Sequence, residues 1–167
     1  QSLTLLQKSH DTWQVAPLSP HSIQSVRALR LFGRPRRATT GAILSIDSAA
    51  FGREWSLDAA TFHEALQATR HCRIFVSRTN KQIDGYLLAG VTQTHGFIQR
   101  LAVHPDVQRM GVASSLLAAA LDWTHSRQCT TTVVNTDNNN QAALDLYRKF
   151  GFATLDYGLS VLERTLP

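Results

Sequence analysis

The sequence FIQRLAVHPDVQRMGVASSLLAAALDWTH, residues 97–125, contains the three elements on which the fold prediction rests. Residues 97–103 predict a strand, which ends at His104 and Pro105. Apolar side chains at helical spacing predict a helix over residues 111–125. They are Leu116, Leu117, Ala120 and Leu121. The stretch therefore predicts a strand, a tight turn and a helix in direct succession.

The turn before this helix suits an anion. Gly111 and Ala113 are small, so a ligand can approach the backbone closely. The first N–H groups of a helix have no partner inside it, and the helix dipole favours negative charge at that end. A pyrophosphate fits such a site, and Arg109 adds a positive charge. The turn alone is also compatible with an ordinary crossover, because it lacks both the GxGxxG pattern and the P-loop pattern.

A second informative stretch is VVNTDNNNQAALDLYRKFGF, residues 133–152. Residues 140–150 predict a helix that ends at Gly151. Asn140 and Tyr147 are seven residues apart, about two helical turns, so they lie on one side of the helix and can reach one ligand. Asn140 is equally suited to cap the helix, and Tyr147 to lie in the core.

The rest of the chain predicts an α/β protein. We expect one domain over residues 1–167, with a mixed sheet and helices on both faces. Residues 33–41, which contain Pro35, predict an internal linker. The other predicted helices are residues 22–31, 43–51 and 58–69. The other predicted strands are residues 13–16, 74–76, 83–89, 131–135 and 159–162.

Together the two stretches resemble the GNAT family of acetyltransferases. LAVHP followed by Q-x-x-G-x-A, residues 101–105 and 108–113, resembles the family's acetyl-CoA signature. N-x-x-A-x-x-L-Y-x-x-x-G-F, residues 140–152, resembles its second signature. The resemblance covers residues 74–152, whereas residues 1–70 match only in element order. It implies a twisted, mostly antiparallel sheet flanked by helices on both faces, with an acetyl-CoA-binding core at residues 72–152.

The resemblance also implies roles for individual residues. The pantetheine arm of the cofactor would pair with the backbone of Leu101, Ala102 and Val103, like an added strand. Asn140 would contact the cofactor near its acyl end, and Tyr147 would be the catalytic acid that protonates the leaving thiolate. The residues expected to hold the pyrophosphate are Gln108, Arg109, Met110, Gly111, Val112, Ala113 and Ser114.

The implied reaction is acetyl transfer from acetyl-CoA to a primary amine, by direct attack through a tetrahedral intermediate. The N–H of Leu101 is expected to stabilise the oxyanion. Relatives often carry a carboxylate as general base on the strands at residues 97–101 or 131–135, but neither strand here contains Asp or Glu. The residues that remain open are Gln99 and Asn135, which could position a water, and Glu54, Asp84, His95 and His104 as bases.

The absence of a motif-supported base favours an acceptor that is partly neutral at physiological pH. An α-amine titrates near 8 and a lysine side chain near 10.4. We therefore expect a protein N-terminal α-amine as acceptor, with a small-molecule amine as the alternative. Phe51 and Trp55 are expected to line the acceptor side. A non-catalytic acyl-CoA-binding module is the alternative from another class.

Charge and composition indicate which classes of partner the protein could bind. The 17 basic and 12 acidic residues give a net charge of +5. Residues 27–37 hold five arginines and no acid, a patch that could contact nucleic acid or a ribosome. We favour a solvated helix end instead, because no aromatic residues of a nucleic-acid motif are interleaved with the arginines. Seven histidines and two cysteines without ligand spacing predict no metal, and the composition predicts a cytoplasmic protein without a membrane segment.

Overall fold

The computed structural model describes residues 2–10, 22–27, 37–155 and 159–160. The strands in these residues are β1 Ser2–Ser9, β2 Ser22–Arg27, β3 His71–Thr79, β4 Gln82–Thr92, β5 His95–Val103, β6 Thr131–Asp137, β7 Ala153–Thr154 and β8 Leu159–Ser160. The helices are α1 Arg37–Trp55, α2 Ala59–Gln67, α3 Val112–Ser126 and α4 Gln141–Lys149, and a short 3₁₀ turn covers Pro105–Val107.

The described strands form one mixed sheet. Their order is β2-β3-β4-β5-β6-β1-β7, and β8 pairs with β1. The pairing is antiparallel throughout, except that β5 and β6 run parallel. The α/β class and the mostly antiparallel sheet expected from the sequence are therefore confirmed.

Helices cover both faces of the sheet, because successive side chains of a strand point to opposite faces. On β4, Tyr86 and Leu88 pack with α1 and α2, whereas Leu87 and Ala89 pack in the cluster that contains α3 and α4. A Cβ atom at Gly85 would lie 2.9 Å from Val112 Cγ1. Glycine at this position therefore allows the first turn of α3 to rest directly on β4.

Two predictions for the first half of the chain are wrong. The predicted helix at residues 22–31 is a strand over its described part, β2, which pairs with β3. Ser, Ile and Val have only modest helix propensity, so pairing with the edge of β3 outweighs the local preference. The predicted linker at residues 33–41 is helical from Arg37 onward, because α1 begins there. The strand predicted at residues 13–16 lies outside the described residues.

The remaining predicted elements occur with shifted ends. The predicted helices at residues 43–51 and 58–69 are α1 and α2, and α2 begins with a reciprocal cap between Asp58 and Thr61. Two hydrogen bonds from Thr61, led by its backbone N–H, hold the pKa of the Asp58 carboxyl below its usual value. Strand β1 at residues 2–9 has no counterpart among the predicted elements, although its Leu6 is fully buried.

The fully buried Leu116 of α3 offers a direct test of this core. We expect Leu116→Ala to lower the free energy of unfolding by about 2–5 kcal/mol, because it removes apolar contacts and leaves a cavity. The exposed Lys149→Ala is the control and should change it by less than about 0.5 kcal/mol. Urea denaturation of the two variants measures the difference, and equal midpoints would contradict the assignment of Leu116 to the core.

Candidate active site

The most important feature of the sheet is a gap that opens between β5 and β6. Their parallel pairing runs from His95 with Thr131 to Ile98 with Val134, and it ends there. At the same level, the register between β4 and β5 shifts because Gln99 forms a bulge. A bulge bends its strand, so β5 leaves β6 while it stays paired with β4. The gap therefore begins at Gln99 and is bordered by residues 99–103.

The edge of β5 along this gap presents backbone groups that have no partner among the described residues. The N–H of His104 donates to the carbonyl oxygen of Asp84 on the β4 side, at 2.8 Å. Hydrogen-bonding directions alternate along an antiparallel strand, so Ala102 also faces β4 while Leu101 and Val103 face the gap. The carbonyl of Val103 accepts from Gln108 Nε2 at 3.2 Å. The groups left for a ligand are the N–H and C=O of Leu101 and the N–H of Val103.

The turn that follows β5 ends at an uncapped helix N-terminus. Gly111 has φ 86° and makes no side-chain capping bond to α3. Arg109 also has a positive φ of 63°, and its side chain is exposed. Residues with left-handed backbone next to a helix start arrange successive N–H groups into a concave surface that binds anions. The turn therefore has the geometry expected of a pyrophosphate site.

The side chains expected to hold the pyrophosphate do not all face that site. Gln108 closes its own turn through its bond to Val103, and Val112 is buried in the core, so Val112 can offer only its backbone. Met110 is 58% exposed. Ala113 and Ser114 are half-buried in the first turn of α3. The site is therefore built from main-chain N–H groups more than from side chains.

Helix α4 carries the two residues predicted to act at the acyl end. Asn140 is its N-cap and accepts from the N–H of Ala143 at 3.1 Å. A contact from Asn140 to a cofactor would thus come from its amide nitrogen. Tyr147 is buried, 5.5 Å from the ring of Phe152 between centroids, in the same cluster as Val103 and Val134. Burial raises the pKa of the Tyr147 phenol to about 12, so it stays protonated at neutral pH.

The residues considered as a general base are spread over the molecule. His95 bonds Thr131 at the start of β5, six residues or about 20 Å along the strand from Leu101. His104 lies in the turn and accepts from the N–H of Asp106. Asp84 is level with His104 and accepts from Thr79 at 2.5 Å. Glu54 is exposed near the end of α1.

The two amide residues lie where the gap begins. Gln99 and Asn135 directly follow the last paired residues of β5 and β6. The thiol of Cys72 donates to Gln99 Oε1 at 3.8 Å. Burial raises the pKa of Cys72 to about 12, so this cysteine remains a neutral thiol.

A buried polar network beside the gap was not predicted from the sequence. Asp47 of α1 has no exposed surface, and it binds Arg100 of β5 and the hydroxyl of Tyr86. The only signal was a charged residue, Arg100, within a mostly apolar strand. Its partner Asp47 lies 53 residues earlier and has no pattern that relates it to Arg100.

The described residues contain neither a membrane-spanning helix nor a metal-binding cluster. None of their helices is long and apolar enough to cross a membrane. In the same part of the chain, no group of three or more His, Cys, Asp or Glu residues could hold a metal ion.

A family model described as "Acetyltransferase (GNAT) family" matches residues 41–152. The match covers more than half of the chain and includes the gap, the turn and α4, so the protein belongs to the GNAT family of acetyltransferases. Members of this family use acetyl-CoA as co-substrate. No curated protein sequence matches the chain.

Several solved structures share the fold. One is the ribosomal-protein-S18-alanine N-acetyltransferase from Escherichia coli, which is 22% identical. The match covers 80% of this chain and 77% of that one, with a TM-score of 0.67. The aminoglycoside acetyltransferase meta-AAC0020 from an uncultured soil metagenomic sample is 21% identical over 88% of this chain and 97% of its own, with a TM-score of 0.67. AAC(6')-Iy, solved with a bisubstrate analog of CoA, is 17% identical. The match covers 88% of this chain and 100% of that one, with a TM-score of 0.65.

The uncapped start of α3 predicts a specific effect of Gly111→Asn. Asn tolerates positive φ, and its side chain would occupy the space before the helix and compete for its N–H groups. We expect the dissociation constant of acetyl-CoA to rise about tenfold or more, as measured by calorimetry.

The matched control is Gly151→Asn, because Gly151 has a similar φ of 79° beyond the end of α4. This variant should bind acetyl-CoA like the unchanged protein. Undiminished affinity in Gly111→Asn would show that the pyrophosphate binds elsewhere.

Proposed function

We propose that this protein is an N-acetyltransferase that transfers the acetyl group of acetyl-CoA to a primary amine, with a protein N-terminal α-amine as the acceptor. The observation that carries the proposal is the gap that opens at Gln99. It leaves the N–H groups of Leu101 and Val103 unpaired and leads to the uncapped start of α3.

The shape and chemistry of acetyl-CoA suit this gap. Pantetheine contains amide groups that can pair with the open edge of β5, as an added strand would. Its pyrophosphate would meet the N–H groups at the start of α3, about 10 Å beyond the paired segment. The thioester would then lie near Leu101, at the end of the gap bordered by Gln99 and Asn135.

The backbone of Leu101 has a direct part in the proposed chemistry. Its N–H faces the gap, so it can donate to the thioester oxygen as negative charge develops there. Strand pairing with β4 holds this N–H in place before the reaction begins. A donor that needs no rearrangement stabilises the developing charge most effectively.

The acceptor is proposed from the lack of a suitably placed carboxylate in the described residues. Asp47 contacts Arg100, the residue after the bulge, but its oxygens already accept hydrogen bonds from Arg100, Tyr86 and Leu57. Gln99 and Asn135 can orient a water or the amine, but amides do not take up a proton at neutral pH. About a quarter of an α-amine is neutral at pH 7.5, compared with about 0.1% of a lysine side chain. The name of the E. coli neighbour, an alanine N-acetyltransferase, agrees with this choice.

We propose Tyr147 as the donor to the departing thiolate. A phenol with a pKa of about 12 is a weaker acid than a thiol near 8.5. Complete proton transfer would therefore be unfavourable. Tyr147 would act mainly by a hydrogen bond that stabilises negative charge on sulfur in the apolar surroundings of Phe152 and Val134.

Two alternatives differ in the acceptor or in the chemistry. A small-molecule amine as acceptor is supported by two neighbours. One is named an aminoglycoside acetyltransferase, and the other, AAC(6')-Iy, was solved with a bisubstrate analog that contains acetylneamine. A non-catalytic acyl-CoA-binding module would be supported by tight binding without turnover.

Contact of residues 27–37 with nucleic acid or a ribosome stays a prediction, because only residues 27 and 37 of that segment are described. We further propose a cytoplasmic location, which the free thiols Cys72 and Cys129 support.

A thiol-release assay tests the proposal. Acetyl-CoA would be incubated with an alanine-initiated hexapeptide amide, with Nα-acetyl-lysine amide or with the aminoglycoside sisomicin. We expect the peptide to have the highest kcat/KM at pH 7.5, about tenfold or more above the lysine derivative, because more of its amine is neutral. Highest activity on sisomicin would instead identify a small-molecule enzyme. Tight acetyl-CoA binding without thiol release from any acceptor would contradict an enzyme altogether.

Tyr147→Phe tests the proposed acid. We expect kcat to fall about 100-fold while the dissociation constant of acetyl-CoA changes little, because only the hydroxyl is lost. In the unchanged enzyme, kcat should show no decrease between pH 7 and 10 from ionisation of Tyr147, since its raised pKa keeps it protonated there. Phe150→Leu on the same helix is the control. An unchanged kcat in Tyr147→Phe would show that the negative charge on sulfur is stabilised by another group.

A further inference from the structure

The buried ion pair between Asp47 and Arg100 lies between the acyl end of the gap and the connection from α1 to α2. Arg100 Nε donates to Asp47 Oδ2 and Arg100 Nη2 donates to Asp47 Oδ1, both at 2.8 Å. The hydroxyl of Tyr86 also donates a hydrogen bond to Asp47 Oδ2. The Asp47 side chain has no exposed surface, and that of Arg100 is 20% exposed.

Both members of the pair also contact the segment from the kink of α1 at Gly52 to the N-cap of α2 at Asp58, which is called the connection below. Arg100 Nη2 donates to the carbonyl oxygen of Trp55 at 2.6 Å. Asp47 Oδ1 accepts from the N–H of Leu57 at 2.7 Å. Trp55 and Leu57, two residues apart, are thereby both tied to a single carboxylate–guanidinium pair.

The connection is also anchored at its end, where Leu57 packs against the cluster of α1 and α2 and Asp58 caps α2. It starts at Gly52, where the helix is interrupted by a residue with φ 72°. Arg53 and Glu54 are exposed, and the side chain of Trp55 is 50% exposed, so they add little apolar burial. The guanidinium of Arg100 lies over the ring of Phe51, with 3.6 Å between Arg100 Cζ and the ring centroid. Before these anchors, the main chain between Gly52 and Leu57 is tied to the sheet mainly through Asp47 and Arg100.

A buried ion pair of this kind is poorly explained by stability alone. Desolvation of two charges offsets most of their attraction, and apolar side chains of similar size often stabilise a fold as well or better. An arginine whose fork spans a carboxylate and a main-chain carbonyl, however, defines a distance and an orientation. Arg100 follows the bulge residue Gln99 and precedes Leu101, so it relates the connection directly to the reacting segment of β5.

We propose that Asp47 and Arg100 are positioning residues that hold residues 52–58 against β5 as one wall of the acceptor site. This inference rests on the proposed function, because it assumes that the amine reaches the thioester from the side of α1 and α2. Gln99 and Arg100 both lie on that side, where Cys72 and Asp47 contact them. The pair acts through the connection and does not itself take part in acetyl transfer.

The test separates placement of the connection from overall folding. Arg100→Lys keeps the charge beside Asp47, but an ammonium cannot bridge both the carboxylate and the Trp55 carbonyl. We expect amide hydrogen exchange at residues 52–57 to accelerate at least about tenfold. KM for the alanine-initiated hexapeptide should rise about tenfold, whereas the dissociation constant of acetyl-CoA should stay within about twofold.

A second variant guards against misfolding caused by an unpaired buried carboxylate. Asp47→Leu combined with Arg100→Met replaces the pair with apolar groups and is expected to fold, yet it should show the same faster exchange and higher acceptor KM. The control is Arg148→Met, which removes an exposed arginine paired with Asp145 on α4 and should leave all three measurements unchanged.

The exchange measurement distinguishes failure of this inference from failure of the proposed function. Faster exchange at residues 52–57 supports the positioning role even if no amine is acetylated, and that lack of turnover would count against the proposed function alone. Folded variants with unchanged exchange and unchanged acceptor KM would overturn the inference, since the pair would then serve stability only.

Discussion

The end of the parallel ladder at Ile98 and Val134 is the constraint on which the rest of the site depends. Main-chain N–H and C=O groups need partners, and a strand inside a sheet normally finds them on both sides. The bulge at Gln99 keeps β5 paired with β4 while it removes β6 from the other edge. The N–H groups of Leu101 and Val103, together with those at the start of α3, are then open to an extended ligand, and we propose that this ligand carries both amides and an anion. Acetyl-CoA, the co-substrate of the GNAT family, meets both needs.

The two faces of the sheet differ in polarity beside this gap, and the proposed chemistry uses the difference. On the side of α3 and α4, Tyr147 lies in an apolar cluster, where a hydrogen bond to a departing thiolate is strengthened by the low dielectric. On the side of α1 and α2, the amides of Gln99 and Asn135 and the Arg100 network provide polar surroundings that an incoming amine requires. The tie from Arg100 to the Trp55 carbonyl relates these surroundings to the strand that bears Leu101.

Much of the second half of the molecule could be predicted from the sequence because its signals are local. Apolar spacing identified α3, Gly151 identified the end of α4, and the turn at Gly111 was identified from small residues before a helix. The roles of particular side chains were less accessible. Asn140 caps α4 through its own side-chain oxygen, and Gln108 closes the turn onto Val103. Nothing in the sequence related Asp47 to Arg100, since a contact across 53 residues leaves no periodic pattern.

The sequence by itself determined the α/β class, the turn before α3 and the pair of residues on α4, because each depends on propensity and spacing within a few turns of chain. It also determined that residues 97–101 and 131–135 contain no carboxylate. Only the tertiary structure decided that residues 22–27 form an edge strand rather than a helix, that β5 and β6 separate after Ile98, and that Asp47 holds the α1–α2 connection. These features arise from pairing and ion contacts between distant segments, whose free energy exceeds local preference and is not encoded in any short stretch.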